Sequence, residues 1–278
     1  MNHQSKQLIA IIFVFVAVLL TTSALAISLS LEEVQFNIDT QNLDWTASEN
    51  SISDLSDAEY DNLRSLKLPD DYLEPEEVPN LDPLPFGDRD SWDWRDHNGV
   101  TAVKHQGGCG SCWAFASTGV VESFILIYDG LNWDLSEQQL VSCNNQGYGC
   151  DGGWIYFQPY QYTGGVFESC MPYEASDSVP CTQNQCDKVA YIDSWSEINS
   201  SVNSIKNALV DGPVACAMYA FDDLSYYTGG CYSHGYASSV NHGVIIVGYN
   251  DNDCSGDGAW SLQLSSETSW TPPIAIFH

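Results

Sequence analysis

The pattern of apolar and polar positions first marks a short apolar run near the start of the chain. Residues 8–20 are almost all apolar, Lys6 precedes them, and the small residues Ala24 and Ala26 follow. A basic start, a short apolar run and small residues are typical of a secretory signal peptide, whereas a membrane span needs roughly 20 apolar residues. The pattern therefore predicts a cleaved signal peptide over residues 1–26, with an uncleaved anchor as the alternative.

The next stretch is acidic and poor in aromatic residues, and it ends in a run of prolines. Ser56 can cap a helix, and Glu59 stands three residues later as the partner of a capping box. Five prolines between residues 68 and 85 predict an extended linker rather than a core. A boundary between an N-terminal segment and the main domain is therefore expected within this linker.

Beyond residue 92, helical patterns come first and strand patterns come later. A long helix is predicted over residues 111–129, and Gly130 can end it. Four residues of this helix are predicted to share its buried face: Phe115, Val120, Phe124 and Ile127. The pattern also predicts short helices over 135–142 and 203–210 and strands over 214–219 and 243–249. Helices followed by strands indicate an α+β protein of two lobes.

Charge and cysteine content narrow the possible functions. The net charge of −29 makes nucleic acid and anionic lipid poor partners. The same charge fits either an acidic compartment or simple solubility. Ten cysteines in an exported chain favour a fold supported by disulfides. If one of the ten is a catalytic thiol, at least one other cysteine has no partner within the chain.

One segment carries the strongest signal of catalytic chemistry. Cys112 stands at the start of the long predicted helix, where unpaired N–H groups and a partial positive charge stabilise a thiolate. Gln106 lies six residues upstream, across a glycine-rich bend, from where its amide can donate to an oxyanion. The alternative is a metal-binding or redox C-x-x-C pair of Cys109 and Cys112. No second pair of this spacing and no thioredoxin-like pattern accompanies it in the sequence.

The segment from Gln106 to Phe115 contains Cys-Gly-Ser-Cys-Trp and resembles the active-site signature of papain-like cysteine proteases. Similar blocks occur at 93–95, 135–143, 149–153, 212–214 and 241–244, and the resemblance covers residues 50–260 in all. It implies a papain-like two-lobed α+β fold, with a cleft between a helical N-terminal lobe and a β-rich C-terminal lobe. It also implies an inhibitory propeptide and linker over 27–83 and a peptidase domain over 84–278.

The resemblance assigns roles to individual residues. His242 becomes the base that pairs with Cys112, and Gln106 becomes the oxyanion donor. Gly152 and Gly153 provide a backbone edge for extended substrate. The main specificity pocket is implied to be lined by Trp154, Ala217, Val240 and Gly243. The implied disulfides are Cys109–Cys150 and Cys143–Cys181, Cys170–Cys186 is a further option, and Cys216, Cys231 and Cys254 stay unassigned.

The same resemblance indicates what the protein works on. It implies a peptidase that hydrolyses peptide bonds through a thioester, is made as a zymogen and needs no metal or organic cofactor. Its expected partners are protein or peptide substrates, its own propeptide and cystatin-like inhibitors, and a monomer is expected. The signal peptide adds a secretory route that ends in a lysosome, in a vacuole or outside the cell, with no membrane contact in the mature form.

The C-terminal end departs from the family pattern. Leu264 stands where the family has an Asn that orients the histidine, and a leucine side chain can neither donate nor accept a hydrogen bond. The sequence also stops at His278, before the expected closing strands, which predicts a less stable protein than its relatives. Three interpretations stay open: an error in the gene model, a weakened enzyme, or a catalytically impaired relative that binds peptides or inhibitors. The abrupt change after Trp260 favours the first.

Overall fold

The computed structural model describes residues 29–75, 89–235 and 237–265, which form helices and strands in two lobes. The predicted signal peptide lies outside the described residues, as do part of the predicted linker and the chain after residue 265. Within the described ranges, no helix is both long and apolar enough to cross a membrane.

Three elements belong to the N-terminal segment: helix α1 (Leu31–Gln41), strand β1 (Trp45–Ala47) and helix α2 (Asp57–Leu63). Both helices begin with a capping box, which Ser56 and Glu59 form at α2 as the sequence predicts. Strand β1 pairs antiparallel with a strand of the main domain. Backbone hydrogen bonds therefore attach the N-terminal segment to that domain.

The first lobe is helical. After the short strand β2 (Ser91–Asp93), its helices are α3 (Cys112–Asp129), α4 (Glu137–Cys143) and α5 (Gln158–Tyr162). Ser136 caps α4 by accepting a hydrogen bond from the Gln139 N–H group, and Gly130 ends α3 with a positive φ of 69°. The apolar core of this lobe contains large side chains from all three helices, among them Trp113, Leu140 and Tyr160.

Helix α3 is more deeply buried than its pattern indicates. Every residue from Cys112 to Gly119 is buried. Three of the four residues predicted to share one buried face are only partly covered: Val120, Phe124 and Ile127. The prediction of a single buried face is therefore wrong. The reason is that Ile245 and Val247 of the second lobe pack on Ala116, so α3 lies between two layers and is covered from both sides.

The second lobe combines one helix with a sheet around a long central strand. The helix is α6 (Val202–Leu209), and the strands are β3 (Val214–Met218), β4 (Tyr227–Gly230), β5 (His242–Asn250) and β6 (Ala259–Gln263). Strand β5 pairs antiparallel with β2, β3 and β6, whereas β4 pairs with β1. Its central Val-Ile-Ile-Val run is buried on both faces, as a strand covered by other layers requires.

Each lobe contains disulfide bonds between its own residues. The structure joins Cys109 to Cys150, Cys143 to Cys181, Cys170 to Cys186 and Cys231 to Cys254. The first two pairs are those that the family resemblance implies, and the third is the option that the sequence leaves open. Among the described residues, Cys112 and Cys216 have no disulfide partner. One cysteine besides the candidate nucleophile is thus free, in agreement with the count of ten.

Candidate active site

The candidate nucleophile lies where the two lobes meet. Cys112 is the first residue of α3, and its side chain is fully buried. A Cβ atom on Gly243 of β5 would lie only 3.2 Å from the Cys112 carbonyl oxygen, so the lobes are in direct contact here. Ser111 stands at the N-cap but makes no side-chain hydrogen bond to the first turn. The partial positive charge of the helix terminus therefore acts on the thiol and favours its thiolate form.

His242 and Gln106 meet at one backbone oxygen. His242 is the first residue of β5, and its Nδ1 lies 3.0 Å from the Leu63 carbonyl oxygen. Gln106 donates from Nε2 to the same oxygen over 3.2 Å and to the Cys109 carbonyl oxygen over 3.1 Å. A carbonyl oxygen only accepts, so the neutral imidazole carries its proton on Nδ1. Donors from both lobes thus converge on one oxygen, as the stabilisation of an oxyanion requires.

Residues distant in sequence orient the Gln106 amide. Ser265 donates its hydroxyl to Oε1 over 2.5 Å, and the Gln106 N–H group donates to the Ser265 carbonyl oxygen over 2.8 Å. The Tyr173 hydroxyl donates to the backbone carbonyl oxygen of Gln106 over 2.7 Å and so holds the main chain at this residue. Sequence reasoning missed Ser265 and Tyr173, because they lie 159 and 67 residues from Gln106 and carry no local motif.

Residues 57–67, the cleft segment, cover this site. The Leu66 N–H group donates to the Asn241 carbonyl oxygen and the Lys67 N–H group to that of Gly153, each over 2.8 Å. A Cβ atom on Gly152, whose φ is 109°, would lie 1.9 Å from a backbone oxygen of the cleft segment, so this approach requires glycine. The two glycines expected to bind substrate therefore form the edge on which the cleft segment lies.

Leu66 of the cleft segment is buried together with the predicted pocket residues. Its apolar cluster includes the partly buried Trp154, Ala217 and Val240. A Cβ atom on Gly243 would lie 3.4 Å from Cδ1 of Leu66, which is ordinary contact. The structure thus brings the four predicted pocket residues together with one leucine side chain, and an apolar side chain fits this part of the cleft.

The covered site keeps both catalytic candidates neutral. Burial raises the pKa of the Cys112 thiol to about 11, and nearby backbone N–H groups, including those of Gly243 and Ser65, oppose this rise only in part. Burial also lowers the pKa of His242 to about 4, although its hydrogen bond to Leu63 favours the charged ring. Both shifts disfavour a thiolate–imidazolium pair while the cleft segment covers the site.

Leu264 lies in the core of the second lobe. It is 5% exposed and belongs to the same apolar cluster as Val244 and Leu262. Within the part of the chain that the structure describes, the Leu63 carbonyl oxygen is the one hydrogen-bond partner of the His242 ring. The imidazole is thus held by the cleft segment and by packing, and not by a polar group at position 264.

Comparison with known proteins connects this geometry to a family. Residues 89–272 match the model of the papain family of cysteine proteases. The chain belongs to the papain family. It is 39% identical to zingipain-2 of Zingiber officinale over 189 residues, which cover 65% of this chain and 83% of zingipain-2. It is 36% identical to fruit bromelain of Ananas comosus over 185 residues, which cover 65% of this chain and 52% of fruit bromelain. The chain thus spans about half the length of this relative.

Solved structures of papain-family precursors share the fold. Digestive procathepsin L2 from the larval midgut of Tenebrio molitor is 30% identical, with a TM-score of 0.75 over 88% of this chain and 83% of that one. A recombinant stem bromelain precursor is 27% identical, with a TM-score of 0.72 over 88% of this chain and 80% of that one. The prediction of a papain-like two-lobed α+β fold is confirmed.

Proposed function

We propose that this protein is a cysteine peptidase made as a zymogen. Cys112 is its nucleophile, His242 its base and Gln106 its oxyanion donor. The observation that supports this assignment is the convergence of Gln106 Nε2 and His242 Nδ1 on the carbonyl oxygen of Leu63. The Ser65 N–H group, two residues along the same segment, interacts with the Cys112 sulfur. A peptide backbone can therefore reach the base, the oxyanion donor and the thiol at once.

The reaction uses these groups in sequence once a substrate replaces the cleft segment. Cys112 gives its proton to His242, and the sulfur attacks the carbonyl carbon of the scissile bond. The resulting oxyanion accepts hydrogen bonds from Gln106 Nε2 and the Cys112 N–H group. His242 then gives its proton to the leaving amine, and the C–N bond breaks to leave a thioester. Water loses a proton to His242 and attacks this thioester, which releases the carboxylic acid and restores the thiol.

The cleft segment acts in this proposal as part of an inhibitory propeptide and linker over residues 27–83. Two observations support that role. The cleft segment covers Cys112 and His242, and burial shifts the pKa of each group in the direction that disfavours a thiolate–imidazolium pair. The peptidase domain then covers residues 84–278. Cleavage within the linker after Pro69 would release the cleft segment and expose the site.

Substrates and location follow from the same proposal. The apolar surroundings of Leu66 favour peptides with an apolar or aromatic side chain next to the scissile residue. Cystatin-like proteins are the expected inhibitors of the monomeric mature enzyme. The four disulfides support folding in an oxidising compartment, reached through a signal peptide over residues 1–26. Within that route, a lysosome, a vacuole or the extracellular space is the destination.

A thiol-labelling experiment tests the proposal. The full-length chain is processed at acid pH and treated with a peptidyl epoxide, and its hydrolysis of peptides is measured in parallel. We expect labelling and hydrolysis to vanish in Cys112→Ala. Both should persist in Cys216→Ala, the matched control, because Cys216 is the other thiol without a disulfide partner in the described residues.

Two outcomes would contradict the assignment. Labelling that survives Cys112→Ala, or is lost in Cys216→Ala, would place the nucleophile elsewhere. Labelling at Cys112 without any peptide hydrolysis would instead favour an impaired relative that binds peptides. Leu264 is the reason to measure both, because its side chain cannot bind the imidazole and, among the described residues, no polar side chain does so.

A further inference from the structure

The cleft segment holds an arginine next to the catalytic centre. The Arg64 side chain is 8% exposed, and its Nη1 donates to the Ala220 carbonyl oxygen over 2.8 Å and to the Asp222 carboxylate over 2.7 Å. Nη2 donates to Asp61, and Cζ lies 4.0 Å from the centroid of the Tyr60 ring. Two groups of the main domain and two groups of the cleft segment thus enclose one guanidinium.

The two main-domain groups belong to the part of the chain that remains after cleavage within the linker. The Asp222 carboxylate makes no side-chain contact other than the one to Arg64 among the described hydrogen bonds and ion pairs. Its neighbour Asp223 accepts a hydrogen bond from the Tyr232 hydroxyl over 2.6 Å, and His234 Nε2 lies 3.7 Å from the same carboxylate. The Ala220 carbonyl oxygen also accepts from Asn241 Nδ2 over 3.1 Å and has room for a second donor. Removal of Arg64 therefore leaves this acceptor and the Asp222 carboxylate, which match a guanidinium or an ammonium group.

The path of the cleft segment shows where these groups lie relative to Cys112 and His242, the proposed catalytic dyad. Residues 60–64 contact residues 220–222, whereas residues 66–67 contact Asn241 and Gly153. Leu63, whose carbonyl oxygen binds Gln106 and His242, directly precedes Arg64, and Asn241 contacts both Ala220 and Leu66. The Ala220–Asp222 groups therefore lie next to the dyad.

We propose that Asp222 and the Ala220 carbonyl oxygen form a subsite for a basic side chain of the substrate. The basic residue would lie close to the scissile bond, because Arg64 directly follows Leu63 in the cleft segment. This inference rests on the proposed peptidase function. The net charge of −17 that residues 84–278 carry acts in the same direction, because it attracts cationic peptides to the cleft. Arg64 then occupies in the zymogen the subsite that substrate uses after processing.

Matched peptides test the subsite in the enzyme that is obtained when the full-length chain is processed. Internally quenched peptides carry leucine for the apolar pocket and arginine, citrulline or glutamate at successive positions on either side of the scissile bond. Citrulline keeps the shape of arginine without its charge. We expect arginine to raise kcat/KM about fivefold over citrulline at one such position, as an ion pair with a largely exposed carboxylate allows. Glutamate at that position should lower kcat/KM below the citrulline value.

Variants of the carboxylate separate the subsite from general electrostatics. In Asp222→Asn we expect the arginine preference to disappear, so that kcat/KM for the arginine peptide falls to that for the citrulline peptide. Asp222→Glu should keep the preference, and so should Asp211→Asn, which removes an equal charge from an exposed position. Equal cleavage of all three peptides, or a preference that survives Asp222→Asn, would overturn the subsite alone. Failure to cleave any peptide would overturn the peptidase function itself.

Discussion

At the scale of single residues, the orientation of one amide group decides whether the proposed oxyanion site can act. The two ends of the Gln106 amide differ, because only Nε2 can donate to the oxygen of a substrate. The Ser265 hydroxyl donates to Oε1 and so directs Nε2 towards the Leu63 carbonyl oxygen. Because Ser265 belongs to the second lobe and Gln106 to the first, this hydrogen bond also fixes the two sides of the cleft relative to each other.

Replacement of Ser265 by alanine tests this orienting role. We expect kcat/KM of the processed enzyme to fall about tenfold, since one hydrogen bond is worth roughly 1 kcal/mol and the freed amide also loses its orientation. Ser265→Thr keeps the hydroxyl and should keep most of the activity. The measurement is steady-state hydrolysis of one peptide, with circular dichroism as a check of folding. Full activity in the alanine variant would exclude the role.

The residue scale also shows which parts of the site a sequence can reveal. Cys112 and Gln106 were predictable because they lie six residues apart in one local motif, and the helix start supplies the physical reason for the thiol. The Leu63 carbonyl oxygen was not predictable, because a backbone oxygen leaves no trace in the side-chain pattern. The sequence shows that Leu264 stands where the family has a polar residue, but only the structure shows that this leucine packs in the sheet core.

At the scale of secondary-structure elements, a buried charge cluster ties α3 to α4. Glu122 of α3 and Glu137 of α4 are both buried, and Lys104 pairs with them over 2.6 and 3.0 Å. Burial raises the pKa of Glu137, and the nearby Glu122 adds to this rise against the opposing charge of Lys104. Stability from such a carboxyl group is complete below its unfolded pKa of 4.5 and is lost as the pH rises through its folded pKa.

Removal of the lysine from this cluster should therefore be costly, and more so in alkaline solution. We expect Lys104→Met to lower the free energy of unfolding by about 3 kcal/mol near neutral or higher pH, because two buried carboxylates lose their cation. The loss should be smaller in acid, where the carboxyl groups take up protons. Urea unfolding at two pH values measures both effects.

Lys206→Met serves as the control for that prediction. Lys206 pairs with Asp251, whose side chain is 45% exposed, so its removal should cost only about 1 kcal/mol or less. An equal loss in the two lysine variants, or a Lys104→Met loss that does not depend on pH, would show that the cluster does not stabilise the packing of α3 on α4.

Elements were predictable where their signals are local. The capping box of α2 and the start of α3 follow from short motifs. The observed bounds of α3, α6 and β5 differ from the predicted ones by about one residue, within the usual uncertainty of helix and strand ends. Helix α1 was not predicted, and among its residues only Val34 is buried. The pairing of β1 with β4 joins residues more than 180 positions apart, as the Thr46–Gly229 contact shows, and only the folded chain brings them together.

At the scale of the whole molecule, the N-terminal segment connects the catalytic site to the pH of the solution. Burial, together with the charge of Arg64, lowers the pKa of His242 from its ordinary value of 6.5 to about 4, although the hydrogen bond from the ring to the Leu63 carbonyl oxygen acts in the opposite direction. Between these two pH values the unfolded chain binds a proton that the covered chain does not. Because the unfolded state then holds more protons, stability falls as the pH falls through this window.

The size of this effect can be measured in a chain that cannot process itself. In full-length Cys112→Ala we expect about 2–3 kcal/mol of stability to be lost between neutral pH and about pH 4 through His242, since each pKa unit corresponds to 1.36 kcal/mol. Adding His242→Gln should remove that part of the loss, whereas adding His105→Gln, a change at an exposed histidine, should not. Equal pH slopes in all three chains would disprove the coupling. A loss specific to His242 would mean that protonation of this histidine opposes its burial under the cleft segment. Acidification would then favour release of the cleft segment and exposure of Cys112 and His242.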